Sequence, residues 1–198
     1  SNSLDEHIIN DVLNQGAQID VFGVGERLIT AKSEPVFGGV YKLVAIENDG
    51  KITPRIKISE NMEKITNPHF KKVYRIFSKE DDKALADLIC EHDEVIDESR
   101  QLIIFDPIFT WKKKVLTNFY VRPLHVQIFK KGQQVYESPT VLEIRDYARI
   151  EVERLWPEVL RLENPHNYYV DLSEKLWNTR QELLLGHSSE IVPEIAQS

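Results

Sequence analysis

The chain has 198 residues, 41% hydrophobic and 29% charged, with a formal net charge of −7. That length buries a core as one large or two small domains, and the acidic balance lacks the positive footprint that nucleic-acid binding needs. A single cysteine makes no internal disulfide, and neither a secretory leader nor an apolar run long enough to cross a membrane is evident, so a reducing cytoplasm is the expected compartment.

The first predicted element is a helix over residues 4–15. Ser3 and Glu6 have the spacing of a capping box, Leu4, Ile8, Ile9, Val12 and Leu13 recur at helical intervals, and Gly16 supplies a stop. A strand over 19–23 follows, breaking into Gly23-Val24-Gly25 ahead of a helix that opens at Glu26. Strand, Gly-X-Gly turn and helix start together make an anion cradle. The glycines let the backbone come close, and the first-turn N–H groups with the helix dipole supply donors and field. A Cβ would hold the oxygens away. The third glycine of a dinucleotide fingerprint is missing, and the same pattern also makes a plain tight turn. Arg27 either reaches the anion from the first helical turn or faces solvent.

An amphipathic helix feeding an apolar strand is the second half of a βαβ crossover, which places the partner strand before Ser1-Asn2. The chain is therefore expected to be the C-terminal part of a longer protein. Asn2 and the glycine turn would then stand side by side at the carboxyl edge of the strands, where barrels and open α/β sheets bind ligands.

Further along, residues 40–47, 53–59, 71–77, 86–91 and 102–105 read as short β-rich runs separated by turn formers such as Asn48-Asp49-Gly50. They predict an antiparallel sheet of about five strands. Arg55 and Lys57 share one face of their strand and Lys42 lies on a strand that pairs beside it; such positions either meet anions or are simply solvated. From Tyr136 the chain reads as helical. Ser138-Pro139-Thr140 starts a helix with a broad apolar face (Leu142, Ile144, Tyr147, Ala148, Ile150, Val152, Leu155) that ends near Pro157. Residues 160–166 are a turn region, and Ser173 caps a helix over 174–185 with Leu176, Trp177, Leu183 and Leu184 facing inward. The polar stretch 186–198 is expected to be loose.

Other features point to structure rather than chemistry. Cys90-Glu91-His92-Asp93 holds metal-ligand types without a second cluster. Lys112-Lys113-Lys114 reads as a solvated loop, and Trp156 and Trp177 as core. His7 reads as a surface residue, His125 as half-buried in a strand, and His166 as a loop residue.

Several motifs recur in a family's order and spacing. Ser1-Asn2-Ser3-Leu4-Asp5-Glu6, Asp20-Val21-Phe22-Gly23-Val24-Gly25, Gly38-Gly39-Val40-Tyr41-Lys42-Leu43 and Pro54-Arg55-Ile56-Lys57-Ile58-Ser59 are followed by Leu162-Glu163-Asn164-Pro165-His166, Leu172-Ser173-Glu174-Lys175-Leu176-Trp177 and Arg180. Over roughly residues 1–185 this resembles the C-terminal part of the nicotinate phosphoribosyltransferase family. The resemblance implies an α/β fold: the last α-β unit of a phosphoribosyltransferase-type (β/α) barrel at 1–36, an antiparallel β-rich region at 37–135 and a helical region at 136–198.

It further implies a cytoplasmic homodimeric enzyme of NAD salvage. That enzyme forms nicotinate mononucleotide and pyrophosphate from nicotinate and phosphoribosyl pyrophosphate, with coupled hydrolysis of ATP and with Mg2+. On this resemblance Gly23, Val24 and Gly25 match the 5′-phosphate turn and Asn2 a position beside the ribose phosphate. Lys42, Arg55 and Lys57 become candidates for pyrophosphate or ATP phosphates, the two lysines ahead of Arg55. The family often carries a hydroxyl residue where this chain has Glu26, which is not expected to be a direct ligand. No catalytic residue is expected in the chain, because the family's phosphorylated histidine lies upstream and none of the six histidines matches it. Two other readings stand beside this one: another phosphate-binding barrel enzyme that shares only the glycine turn, and a non-catalytic interaction or dimerisation fragment.

Overall fold

The computed structural model describes residues 3–36, 38–61 and 64–195; Asn2 lies outside them. Contacts divide the chain into two compact units, Ser1–Tyr41 with Leu160–His166, and Lys42–Val159 with Asn167–Ser198.

The first unit holds α1 (Glu6–Asn14) and α2 (Glu26–Ile29). Asp5, and not Ser3, caps α1. Ser3 sits at φ 56, outside the extended backbone a cap adopts, whereas Asp5 is extended and its carboxylate accepts the Ile8 N–H at 2.9 Å. Gly16, at φ +85, ends the helix as expected. The strand expected over 19–23 does not form. No described strand pairs with this run, so its backbone has no ladder to join, and Val21 is 84% exposed.

The second unit contains the core. β1 (Ala45–Asn48) and β2 (Lys51–Pro54) form a hairpin in which Asn48 faces Lys51 across Asp49-Gly50. Both turn residues have positive φ, 51 and 77, the geometry of a two-residue primed turn. These strands are shorter than the expected 40–47 and 53–59, so Lys42, Arg55 and Lys57 all lie off them. β3 (Lys71–Ser78), β4 (Ala84–Glu91), β7 (Phe119–Pro123) and β10 (Val170–Leu172) make a four-stranded sheet in the order β10-β4-β3-β7. β5 (Leu102–Phe105) pairs with β6 (Lys113–Leu116), and β8 (Phe129–Lys130) with β9 (Gln133–Gln134). The expected single antiparallel sheet is thus replaced by several small ones, and β10 runs parallel to β4. Lys113 and Lys114 stand exposed on β6 instead of in a loop, and His125 is exposed beyond the end of β7.

Alternation gives the central sheet two different faces. On one, Ile76, Ala86, Leu88, Cys90 and Phe119 close an apolar core with Ile104 of β5 and Leu116 of β6. On the other, Asp87, Arg75 and Arg122 stand opposite one another across β4, β3 and β7. Arg75 makes a double bond-pair to Asp87, 2.9 Å each, and Tyr168 donates to the same carboxylate at 3.0 Å. Phe77, fully buried, stacks on Tyr120 and lies under the guanidinium groups of Arg122 and Arg154 at 4.9 and 5.2 Å.

That polar face is reached by the C-terminal end of α3 (Val141–Glu153), a helix started by a Thr140/Glu143 capping box. Its Glu151 accepts from Arg122 and Arg154 at 3.0 Å each and pairs with Arg75 at 3.4 Å. The helix stops at Glu153, before Pro157, and its apolar residues stay largely exposed, Leu142 at 63% and Tyr147 at 58%. Trp156, expected in the core, is 41% exposed. α4 (Glu174–Ile195) is capped by Ser173, whose hydroxyl accepts the Leu176 N–H at 3.2 Å, and buries Leu176 completely. Trp177 meets Phe105 edge-on. The helix continues to Ile195, through most of the stretch expected to be loose.

Two outcomes follow for the second unit. Glu151→Ala leaves Arg75 and Arg122 facing each other half-buried without their shared carboxylate, and should cost about 3 kcal/mol in urea unfolding. Bonds from Arg122 hold the Glu151 carboxyl below the ordinary 4.5. Its stabilisation is therefore complete above that value and lost as pH falls through the lowered one, so the acid loss of stability should be shallower in the variant. An unchanged midpoint would show that α3 is held by something else. Burial pushes the Cys90 thiol up to about 12. Mass spectrometry should find iodoacetamide on Cys90 only after unfolding, and rapid labelling of the native chain near pH 8 would contradict the buried position.

Candidate phosphate-binding site

In the first unit Gly23 and Val24 lead into α2, and Gly25 is its N-cap at φ −117, ψ −110. The Gly25 carbonyl accepts from Leu28 and Ile29 at 3.0 and 3.1 Å, and no side chain caps the opening turn. A Cβ added at Gly23 or Gly25 would meet nothing within 4 Å, so the chain's own packing does not account for either glycine. Val24 and Arg27 border a hollow of about 360 Å³ with Asp5, Leu28 and Ser33. A second hollow, of about 270 Å³, shares Asp5, Arg27 and Ser33 and adds His7 and Lys32.

Arg27 Nη1 donates to the Asp5 carboxylate, while its Nε is buried with no acceptor among the described residues. The side chain is 30% exposed, between the two positions the sequence allowed. Glu26 is exposed at the first position of α2, where its charge suits the helix dipole. His7 pairs with Glu163 at 3.2 Å on the surface. The structure thus brings Val24, Gly25 and Arg27 together and adds Asp5, Lys32 and Ser33, which pattern reading did not single out. Only Asp5 left a local sign, an acidic residue three positions before Ile8.

In the second unit Arg55, Lys42 and Lys57 share no strand face. Pro54 has no N–H to continue the ladder, and β2 ends there. The Arg55 N–H still reaches Val44 O at 2.8 Å, its Nη1 turns back to Pro54 O at 3.1 Å, and Lys57 N–H donates to Thr66 Oγ1 at 3.0 Å. Arg55 borders a groove of about 510 Å³ with Ile56, Ile58, Glu182 and Leu183. Arg55 and Lys57 are exposed and Lys42 is half-buried.

The Cys90–Asp93 stretch serves as a clamp. Glu91, buried, accepts from Thr179 Oγ1 at 2.6 Å and pairs with Lys175 Nζ at 2.9 Å, and Lys175 also reaches Asp93 at 2.9 Å. Burial pushes the Glu91 carboxyl up, but the bonds from Lys175 and Thr179 outweigh it and leave the group below its ordinary range. The effect is to fasten the first turns of α4 to the end of β4. Among the described residues no group of three or more His, Cys, Asp or Glu stands so as to hold a metal ion, and no helix is long and apolar enough to cross a membrane.

A family model described as the nicotinate phosphoribosyltransferase C-terminal domain matches residues 70–180. The nicotinate phosphoribosyltransferase of Bacillus subtilis (strain 168) is 43% identical over 197 residues, covering 100% of this chain and 40% of that protein. Its namesake from Dictyostelium discoideum is 33% identical over 192 residues, covering 93% of this chain and 32% of that protein. The crystal structure of human nicotinic acid phosphoribosyltransferase superposes with a TM-score of 0.68 at 26% identity, over 93% of this chain and 32% of that one. The chain therefore spans well under half the length of the relatives it matches. It belongs to the nicotinate phosphoribosyltransferase family, to the part that carries the C-terminal domain.

Proposed function

We propose that this chain is part of an enzyme that joins nicotinate to the ribose of phosphoribosyl pyrophosphate, releasing pyrophosphate and giving nicotinate mononucleotide in NAD salvage. The observation that carries this reading is the alignment of a nicotinate phosphoribosyltransferase along the whole chain. The reaction passes through an oxocarbenium-like state, so the protein must anchor the sugar phosphate and stabilise the departing pyrophosphate.

Within the chain, residues 1–36 are read as the end of a (β/α) barrel, 37–135 as the β-rich region and 136–198 as the helical region. Gly23, Val24 and Gly25 let the 5′-phosphate approach the opening turn of α2, with Asn2 beside the ribose, and Arg27 supplies a cation at the hollow. Lys42, Lys57 and Arg55 are the candidates for pyrophosphate or ATP phosphates, and the groove beside Arg55 is what supports including it. Coupled ATP hydrolysis would supply driving force through a histidine outside this chain. Among the described residues no group of three or more His, Cys, Asp or Glu stands so as to cage Mg2+. A cytoplasmic location completes the reading.

Because a Cβ at Gly25 would meet no protein atom within 4 Å, Gly25→Val probes room for the ligand more than packing. In the full-length enzyme it should lower kcat/KM for phosphoribosyl pyrophosphate about a hundredfold with circular dichroism unchanged. Lys42→Ala and Lys57→Ala should raise KM for the same substrate about tenfold each. No product from the wild type would sink the assignment, and a fully active Gly25→Val would move the phosphate site elsewhere.

A dimerisation role is favoured by one feature, the exposed apolar residues of α3, with Ile144 at 51% and Tyr147 at 58%. The chain alone should then self-associate in sedimentation velocity, and a strictly monomeric species at micromolar concentration would argue against it.

A further inference from the structure

The Asp5 carboxylate is used twice. One oxygen accepts the Ile8 N–H at 2.9 Å and caps α1, and the other accepts Arg27 Nη1, 22 residues along the chain. Both side chains are well covered, Asp5 at 17% and Arg27 at 30% exposure, and both border the two hollows, one of which Val24 also lines. A half-buried guanidinium held at one nitrogen by a carboxylate cannot sweep through its many rotamers, and its fork is fixed before any ligand arrives. Its Nε, buried with no acceptor among the described residues, is a donor whose partner must come from outside this set of contacts. Lys32 brings a further cation to the rim of one of the hollows, and Asp5 and Glu6 the opposing charge.

We propose that Asp5 is the positioning residue for Arg27: it holds the guanidinium at the hollow beside the glycine turn so that Arg27 receives the phosphate of a phosphorylated ribose. This rests on the phosphate-turn reading above and adds to it the residue that sets the geometry. The cap and the positioning role are separable by chemistry. Asparagine and serine cap a helix about as well as aspartate, but neither offers Arg27 a charged acceptor.

The full-length enzyme is assayed with phosphoribosyl pyrophosphate varied, and ribose 5-phosphate binding is measured by calorimetry, for the wild type, Asp5→Asn, Asp5→Ser, Arg27→Gln and the Asp5→Asn/Arg27→Gln pair. Asp5→Asn and Asp5→Ser should lower the melting temperature no more than Arg27→Gln does, since the cap is kept and only the ion pair is lost, while weakening ribose 5-phosphate binding and raising KM about tenfold, with kcat changed far less. The double variant should be no worse than Arg27→Gln alone, because both substitutions remove one interaction. Wild-type KM and ribose 5-phosphate affinity in Asp5→Asn, or penalties that add in full in the double variant, would overturn the proposal. A wild type that forms no nicotinate mononucleotide defeats the activity reading instead; the calorimetry then decides on Asp5 by itself, and a wild type that binds no ribose 5-phosphate counts against it.

Discussion

Two arginines on neighbouring strands set the terms of the second unit. Arg75 and Arg122 stand opposite each other across β3 and β7, on the face of the sheet away from the apolar core. Like charges in register oppose sheet formation. Asp87 neutralises the first from the far side, which leaves the second in excess. Glu151 resolves this from outside the sheet: one carboxylate spans Arg75, Arg122 and Arg154, and Arg154 in turn reaches Asp82 at 2.8 Å in the β3–β4 turn. Glu151 sits near the C-terminal end of α3, where the helix dipole disfavours a negative charge. Only the guanidinium groups make that position acceptable, so the helix is fixed by charge rather than by its apolar residues. This also explains how α3 can be well formed with Leu142, Ile144 and Tyr147 exposed.

The elements legible in the sequence were those whose signal is local. β3 and β4 are β-rich runs with partial alternation, β5 is a compact apolar run, and Asn48-Asp49-Gly50 names its own turn because two successive positive-φ residues need asparagine, aspartate or glycine. What escaped depends on a partner elsewhere. β10 is only three residues long and exists because β4 offers its free edge at Asp87–Ile89. Residues 19–23 fail in the opposite sense: the apolar run is there, but a strand is a ladder, and no described strand pairs with it. The separate small sheets arise in the same way, since β5 and β6 satisfy each other and β1 and β2 do likewise.

The same division holds at the site. The glycine turn was visible because its residues are contiguous, and the structure keeps Gly25 at the opening of a helix. The grouping of Lys42, Arg55 and Lys57 rested on two-residue periodicity, which has meaning only inside a strand. Once β2 stops at Pro54, Arg55 and Lys57 no longer share a face by rule, and each side chain takes its direction from local bonds such as Arg55 Nη1 to Pro54 O. The Cys90–Asp93 stretch shows the converse. Its residue types suggest ligation, but the nearest opposite charge is Lys175 on α4, and pairing across that gap satisfies Glu91 more directly than a metal would.

Asp5 shows why local pattern misassigns even a simple feature. Ser3 and Glu6 present a formally better start signal than Asp5, and on helix chemistry alone the serine should cap. Two facts decide against it. Ser3 has φ 56, which directs the chain away from the extended approach a cap uses, and Asp5 has a second oxygen to offer after the cap is made. Serine has no such second acceptor for a guanidinium. With Asp5 at the cap, one carboxylate satisfies an orphan helix N–H and an arginine 22 residues away at once. The two demands meet in three dimensions and are separate in the sequence, so the choice of cap is a tertiary decision that determines where Arg27 stands.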